Sequence, residues 1–313
     1  MEIRTSKFVY SAALLYTLIT GFSFLFGKIA LAVANPFDLL AYRFSASFVA
    51  VIILLAFKLV KVNYSFKSIL RILPLAIFYP LMFFAFQTFG LEASSSSEAG
   101  ILSATIPIFT LILATIFLKE ETTLLQKISI FVSVLGVIYI TLMKGYSFEI
   151  SNLKGIILLL ISALSFAGYS VLARRLTRDF SSFELSIVMM IISFLFFTFT
   201  AIISHLIKGT LNTFFLPLGE PSFILSVLYL GVLSTLLTSV LTNFVLSRIE
   251  ASKMSVFTNL ATVISIIAGV IFLQEEIFYY HIIGSLMIIL GVIGANYFGK
   301  SKGENKGRSL SKK

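Results

Sequence analysis

The chain has 313 residues, of which 58% are hydrophobic and only 12% charged, with a mean hydropathy of +1.03. A soluble domain averages about 45–50% apolar and about 25% charged residues, so this much apolar surface must face something other than water. The chain has no cysteine, which excludes disulfides, thiolate catalysis, iron–sulfur ligation and cysteine zinc sites, and its two histidines, His205 and His281, stand far apart. No metal site and no cofactor are therefore expected. The formal charge of +10 is spread between apolar runs rather than gathered on one stretch, so it is read as membrane topology and no nucleic-acid partner is expected.

Apolar segments fall at 8–33, 37–57, 72–91, 98–118, 124–143, 155–173, 183–204, 222–246, 254–273 and 277–298. Each approaches the ~20 residues that a helix needs to cross about 30 Å of hydrocarbon. The first follows Arg4 and Lys7 as a signal peptide would, but its run is longer than an apolar signal core of about 7–15 residues, so it reads as a retained helix. The second opens with Asn35-Pro36-Phe37-Asp38, an N-cap, a proline at the first helical position and an acid in the first turn. The third holds Tyr79-Pro80 and Gln87-Thr88, and a serine run at 94–97 separates it from the fourth. The seventh opens with Ser181-Ser182-Phe183-Glu184, a second helix-start signal. Beyond the tenth, the tail at 299–313 is polar, basic and glycine-containing.

Orientation follows from lysine and arginine. With the N-terminus in the cytoplasm, the inner segments hold nineteen basic residues, including Lys58, Lys61, Lys67, Arg71, Arg174, Arg175, Arg178 and the tail. The outer loops hold only Lys144, Lys154 and Lys208. This asymmetry places both termini in the cytoplasm and requires an even number of spans. The chain is predicted to be an all-α integral membrane protein in a cell membrane, interacting with the lipid bilayer.

A shift of 155 residues lays Ile116-Phe117-Leu118-Lys119-Glu120-Glu121 over Ile271-Phe272-Leu273-Gln274-Glu275-Glu276, and Leu135-Gly136-Val137-Ile138 over Leu290-Gly291-Val292-Ile293. A shift of 146 lays Asn35-Pro36-Phe37-Asp38 over Ser181-Ser182-Phe183-Glu184, and Lys28 over Arg174. The chain therefore reads as five helices repeated, 1–145 and 146–298. Because five is odd, the second copy enters the membrane inverted. Inverted repeats recur in secondary transporters, where the two halves exchange conformations around a midplane site.

With these motifs the sequence resembles the drug/metabolite transporter superfamily, specifically its ten-helix proteins with two EamA domains. The resemblance rests on Gly27-Lys28, on Pro36 with Arg43-Phe44, on Ala99 to Pro107, and on the duplicated Leu118-Lys119-Glu120 and Gly136-Val137 motif. It implies export or exchange of small metabolites, often amino acids or related compounds, through a cavity between the halves. Two positions depart from symmetry: Thr262 stands opposite Pro107, and Met189 opposite Arg43.

An ionisable or strongly polar side chain in hydrocarbon is costly and marks a candidate site. The candidates for substrate binding are Lys28, Arg43, Tyr79, Gln87, Tyr169, Asn243 and Asn259. Arg43 and Lys28 suit a carboxylate; alternatively Lys28 snorkels to the interface and Arg43 bonds carbonyls or Asp38. Gln87, Asn243 and Asn259 suit substrate hydrogen bonds or interhelical contacts, and Tyr79 and Tyr169 a cavity wall or ordinary packing. Pro80 and Pro107 free backbone carbonyls within their helices. No acid falls at mid-helix, so no proton relay is expected. The paired acids Glu120-Glu121 and Glu275-Glu276 read as charges at helix starts.

No nucleophile–base motif appears, so an enzyme is not expected. The expectation is a carrier of small metabolites, a monomer or homodimer. Cationic drugs or nucleotide sugars as substrates, and a channel or a membrane scaffold as roles, remain alternatives.

Overall fold

A computed structural model of the chain describes residues 2–58, 60, 65–92, 102–143, 153–273 and 276–298. Helices account for the regular structure throughout, with no strand among the described residues. We number them α1 (Glu2–Leu31), α2 (Pro36–Ala56), α3 (Phe66–Gly90), α4 (Ile106–Leu118), α5 (Leu124–Met143), α6 (Leu153–Leu176), α7 (Ser182–Lys208), α8 (Pro221–Leu246), α9 (Phe257–Leu273) and α10 (Tyr279–Tyr297). All but α4 and α9 are long and apolar enough to cross a membrane. At about 1.5 Å per residue the remaining two are short for a full span. Residues 98–101, assigned to the fourth helix from sequence, lie outside the described residues. A separate short helix, Ala251–Ser255, precedes α9. The third helix begins earlier than its apolar run suggests, because Ser65 caps the amide of Ser68 and draws Lys67 and Arg71 into the first turns.

The starts of α2 and α7 form as their sequences dictate. Asn35 accepts from the Asp38 amide, and Ser181 and Glu184 form a reciprocal capping box. Both bring an acid to the positive end of a helix dipole.

Helix packing repeats between the halves. α1 packs on α9 as α6 packs on α4, α1 on α8 as α6 on α3, and α2 on α8 as α7 on α3; α2 meets α7, and α5 meets α10. Exchanging the halves leaves this pattern unchanged, which is the signature of a pseudo-two-fold axis. At the α5–α10 crossing the backbones nearly touch. A Cβ on Gly284 would lie 2.8 Å from the Gly136 carbonyl oxygen, and one on Gly291 would lie 2.6 Å from the Ser129 carbonyl oxygen. Only glycine permits this approach, and such small-residue crossings drive helix association where lipid removes the hydrophobic incentive.

Outward faces carry large apolar side chains such as Phe8, Phe117, Leu195, Phe199 and Ile207, all exposed. They face hydrocarbon, while the polar side chains turn inward. With chain direction alternating at every helix, one end of the bundle carries both termini and the other does not. We call these the terminal face and the opposite face.

Candidate functional site

Among the described residues three helices are interrupted: α3 kinks within Ile77–Met82, and α4 at Ala114–Leu118 and α8 at Tyr229–Leu237 widen into π-helical turns. At the 155-residue shift the stretch in α3 falls inside that in α8, so Tyr79 and Pro80 correspond to Ser234 and Thr235. In α3 the cause is visible: Pro80 lacks an N–H, and Tyr79 takes an extended conformation within the helix, φ −146° and ψ 125°. In α8 there is no proline. There, the Thr235 hydroxyl donates to the Leu230 carbonyl at 2.7 Å, occupying a backbone acceptor inside the widened turn.

Arg43 of α2 reaches between these two interruptions. Its Nε donates to Thr235 Oγ1 at 2.6 Å, its Nη2 lies 3.3 Å from Ser234 Oγ, and its guanidinium stacks 4.2 Å from the Phe84 ring centroid of α3. Thr235 is fourteen residues into α8, about 21 Å along the axis and so in its middle third. Asp38, the sequence's alternative partner for Arg43, is committed elsewhere: its Oδ1 meets His205 Nε2 at 2.8 Å. Arg43 forms no ion pair among the described residues.

Aromatic side chains line the same space. Tyr79 is buried against Phe83, Phe84, Phe166 and Tyr169, with 4.7 Å between its ring centroid and that of Tyr169. Tyr16 of α1 lies within electrostatic range of Tyr79 and Tyr169.

A hydrogen-bonded chain stands beside this cluster. Tyr169 donates to Asn243 Oδ1 at 2.9 Å, Asn243 donates to Ser186 Oγ at 3.0 Å, and Ser239 donates to the same hydroxyl at 2.9 Å. Tyr169 and Asn243 are both wholly buried. Their contacts join α6, α7 and α8, so in this conformation they fix helix positions. Gln87 of α3 differs: it is half-buried and makes no hydrogen bond among the described residues, so its amide is available. Asn259 is buried away from the cluster and donates to Ser133 Oγ of α5 at 3.1 Å. Lys28 lies in α1, but its side chain falls outside the described part of the structure. The structure thus brings Arg43, Tyr79 and Tyr169 together, with Asn243 behind Tyr169 and Asn259 elsewhere.

Among the further contacts that join the sequence halves, one at each end is built on a carboxylate that is at least partly buried. At the opposite face, His205 Nε2 meets Asp38, its Nδ1 lies 2.9 Å from the Thr210 carbonyl oxygen, and Asn35 Nδ2 donates to the second Asp38 oxygen at 2.6 Å. At the terminal face, Glu120 accepts from the Ala251 amide at 2.9 Å and the Ser252 hydroxyl at 3.0 Å. Sequence reasoning read Glu120 as a charge at the start of its own next helix. Its carboxylate instead caps the short helix of the other half. Glu275, its counterpart, lies outside the described residues.

Among known proteins, residues 7–142 and 153–297 each match the model of the EamA-like transporter family. The chain belongs to the EamA-like transporter family. A Bacillus subtilis protein named uncharacterized transporter YcxC is 48% identical over 303 residues, covering 97% of each chain. An uncharacterized transporter of Archaeoglobus fulgidus is 28% identical, covering 87% of this chain and 92% of its own. A solved crystal structure superposes with a TM-score of 0.75 at 16% identity, covering 94% of this chain and 98% of its own, a likeness of fold. The protein is accordingly a multi-pass membrane transporter built from two copies of the EamA unit.

Proposed function

We propose that this EamA-family protein exports or exchanges small metabolites, amino acids or related compounds foremost, across the cell membrane by alternating access, with its termini in the cytoplasm. The observation that supports this most is the meeting of the α3 and α8 interruptions around Arg43. A kink in α3 and a widened turn in the corresponding α8 free backbone carbonyls where a substrate can bind, and irregular backbone at membrane depth is tolerated only where it is buried in protein or lines a cavity. The aromatic wall of Tyr79, Phe84 and Tyr169 provides an apolar body for the site, and Gln87 a free amide. The ties at Asp38–His205 and Glu120–Ala251 provide gates, since each joins the halves at one face only. Cytoplasmic termini follow from the excess of lysine and arginine at the terminal face.

The test is counterflow in proteoliposomes. Vesicles are preloaded with an unlabelled pool of amino acids, amines and organic acids, then given one labelled member at a time. Transient accumulation of a label above protein-free vesicles is the expected result. Folded protein that accumulates none of them would remove the carrier reading.

A further inference from the structure

Resting on the carrier reading and narrowing its substrate from amino acids to their related carboxylates, we infer that the transported substrate is an organic carboxylate with an apolar body, recognised through the Arg43 guanidinium and carrying no obligatory cationic group.

The argument is one of unbalanced charge. A guanidinium has five N–H donors and stays protonated under all ordinary conditions. Arg43 gives its Nε and Nη2 to two hydroxyls and, at 3.4 Å, to the Ser234 carbonyl, all of them uncharged. Both Nη1 donors have no protein partner among the described residues. Arg43 is half-buried, and an ionisable residue at this depth of a membrane protein pairs with an opposite charge, faces a water-filled cavity or marks a substrate path. No carboxylate among the described residues fills that role here. Asp38 belongs to His205, Glu120 to Ala251 and Ser252, Glu250 to Lys253, and Asp179 to Arg71. Of the remaining acids, Glu2, Glu92, Glu121, Glu184, Glu220 and Glu276 stand at helix ends or in loops, away from the middle of any span, while Glu98, Glu149, Glu275 and Glu304 lie outside the described residues. The missing counter-charge is therefore supplied by whatever enters.

The geometry selects its form. A planar guanidinium presents paired N–H groups that match the two oxygens of a carboxylate, a match an ammonium cannot make. The Phe84 ring covers one guanidinium face, leaving the edge for in-plane binding. Around it stand Tyr79, Phe166 and Tyr169, which suit an apolar or aromatic body rather than a polyhydroxylated one. A cationic substrate would face Arg43 with no acid to offset the repulsion. The second half has Met189 at the position corresponding to Arg43, so among the described residues the site carries one such cation and suits one carboxylate.

Three probes sharing a phenyl ring separate the possibilities: phenylacetate, phenylalanine and phenethylamine, an anion, a zwitterion and a cation. Each is tested as a labelled counterflow substrate in proteoliposomes, against protein-free vesicles. Phenylacetate should exchange best and phenethylamine least. Arg43→Gln should lower phenylacetate exchange at least tenfold, and Arg43→Lys, which keeps the charge but loses the fork, should retain part of it. Preference for phenylalanine or phenethylamine, or phenylacetate exchange unchanged in Arg43→Gln, would overturn the inference while the carrier reading stands. If phenylacetate does not exchange, the inference fails, and the wider metabolite pool then shows whether the carrier reading fails with it. The selectivity series uses the unmodified protein, so it decides the matter even if Arg43→Gln does not fold.

Discussion

The Asp38–His205 pair permits a quantitative test of how the halves are tied. Its side chains are 5% and 8% exposed, and it links the first turn of α2 to the last turn of α7. Removing one partner of a buried hydrogen-bonded pair leaves the survivor desolvated, at a cost of about 1–3 kcal/mol and more where the survivor is charged. Here Asn35 still serves Asp38, and Thr210 still serves His205, so about 3 kcal/mol for each alanine variant is the reasoned value. The double variant leaves no orphaned charge, so it should cost about 4 kcal/mol, not about 6, a coupling near 2 kcal/mol. At about 2–4 °C per kcal/mol, each single variant should melt about 6–12 °C lower. The assay is thermal unfolding of the purified protein in lipid nanodiscs. An internal control is Arg71–Asp179, whose side chains are 56% and 50% exposed. Asp179→Ala should cost no more than about 1 kcal/mol, as exposed pairs do. Strict additivity at Asp38 and His205, or an equal loss at Asp179, would refute the reasoning.

Other outcomes follow from the packing. Gly291→Ala should destabilise by about 1–3 kcal/mol in the same melt, because its Cβ meets the backbone of Ser129 and Ser133 at 2.6 Å, whereas Gly27→Ala, with nothing within 4 Å, should stay within about 0.5 kcal/mol. Tyr169→Phe leaves the buried Asn243 Oδ1 without its donor and should cost about 1–3 kcal/mol. Gln87→Ala should leave the melting temperature unchanged but raise the half-saturating substrate concentration in counterflow. Glu120→Gln should loosen the terminal face alone, making an engineered cysteine at Arg248 react faster with a soluble maleimide and leaving one at Lys208 unaffected.

Much of this architecture was legible in the residues. Twenty-residue apolar runs separated by basic loops name a polytopic helical protein, because bilayer thickness sets their length. The 155-residue self-match named the duplication, since charges and glycines at fixed offsets do not arise from hydrophobicity. Gly136 and Gly291 carried that match, and the α5–α10 crossing shows why they are glycine. Arg43 and Tyr79 were found because each breaks a local rule, an ion in hydrocarbon and a proline following within a helix. Thr235 gave no such signal: serine and threonine are common in membrane helices, and only the fold shows it answering Pro80 across the site. His205 and Asp38 each read as helix-end residues, since sequence does not show that two ends 167 positions apart meet. Asn243 read from sequence as either a substrate ligand or an interhelical contact, and in the fold it bonds Tyr169 and Ser186.

The central claim is that the two halves open alternately at the two faces, and the absence of native cysteine makes it directly measurable. Spin labels at Ala32 and Lys208 report the opposite face, and at Lys119 and Arg248 the terminal face; all four positions are exposed. Pulsed electron–electron distances would be collected in nanodiscs for each pair, in the unmodified background and with Asp38→Ala or Glu120→Gln. Alternating access predicts that breaking the Asp38 tie lengthens the Ala32–Lys208 distance while the Lys119–Arg248 distance stays short, and that breaking the Glu120 tie does the reverse. Distances at both faces that never change, or that lengthen together, would contradict it.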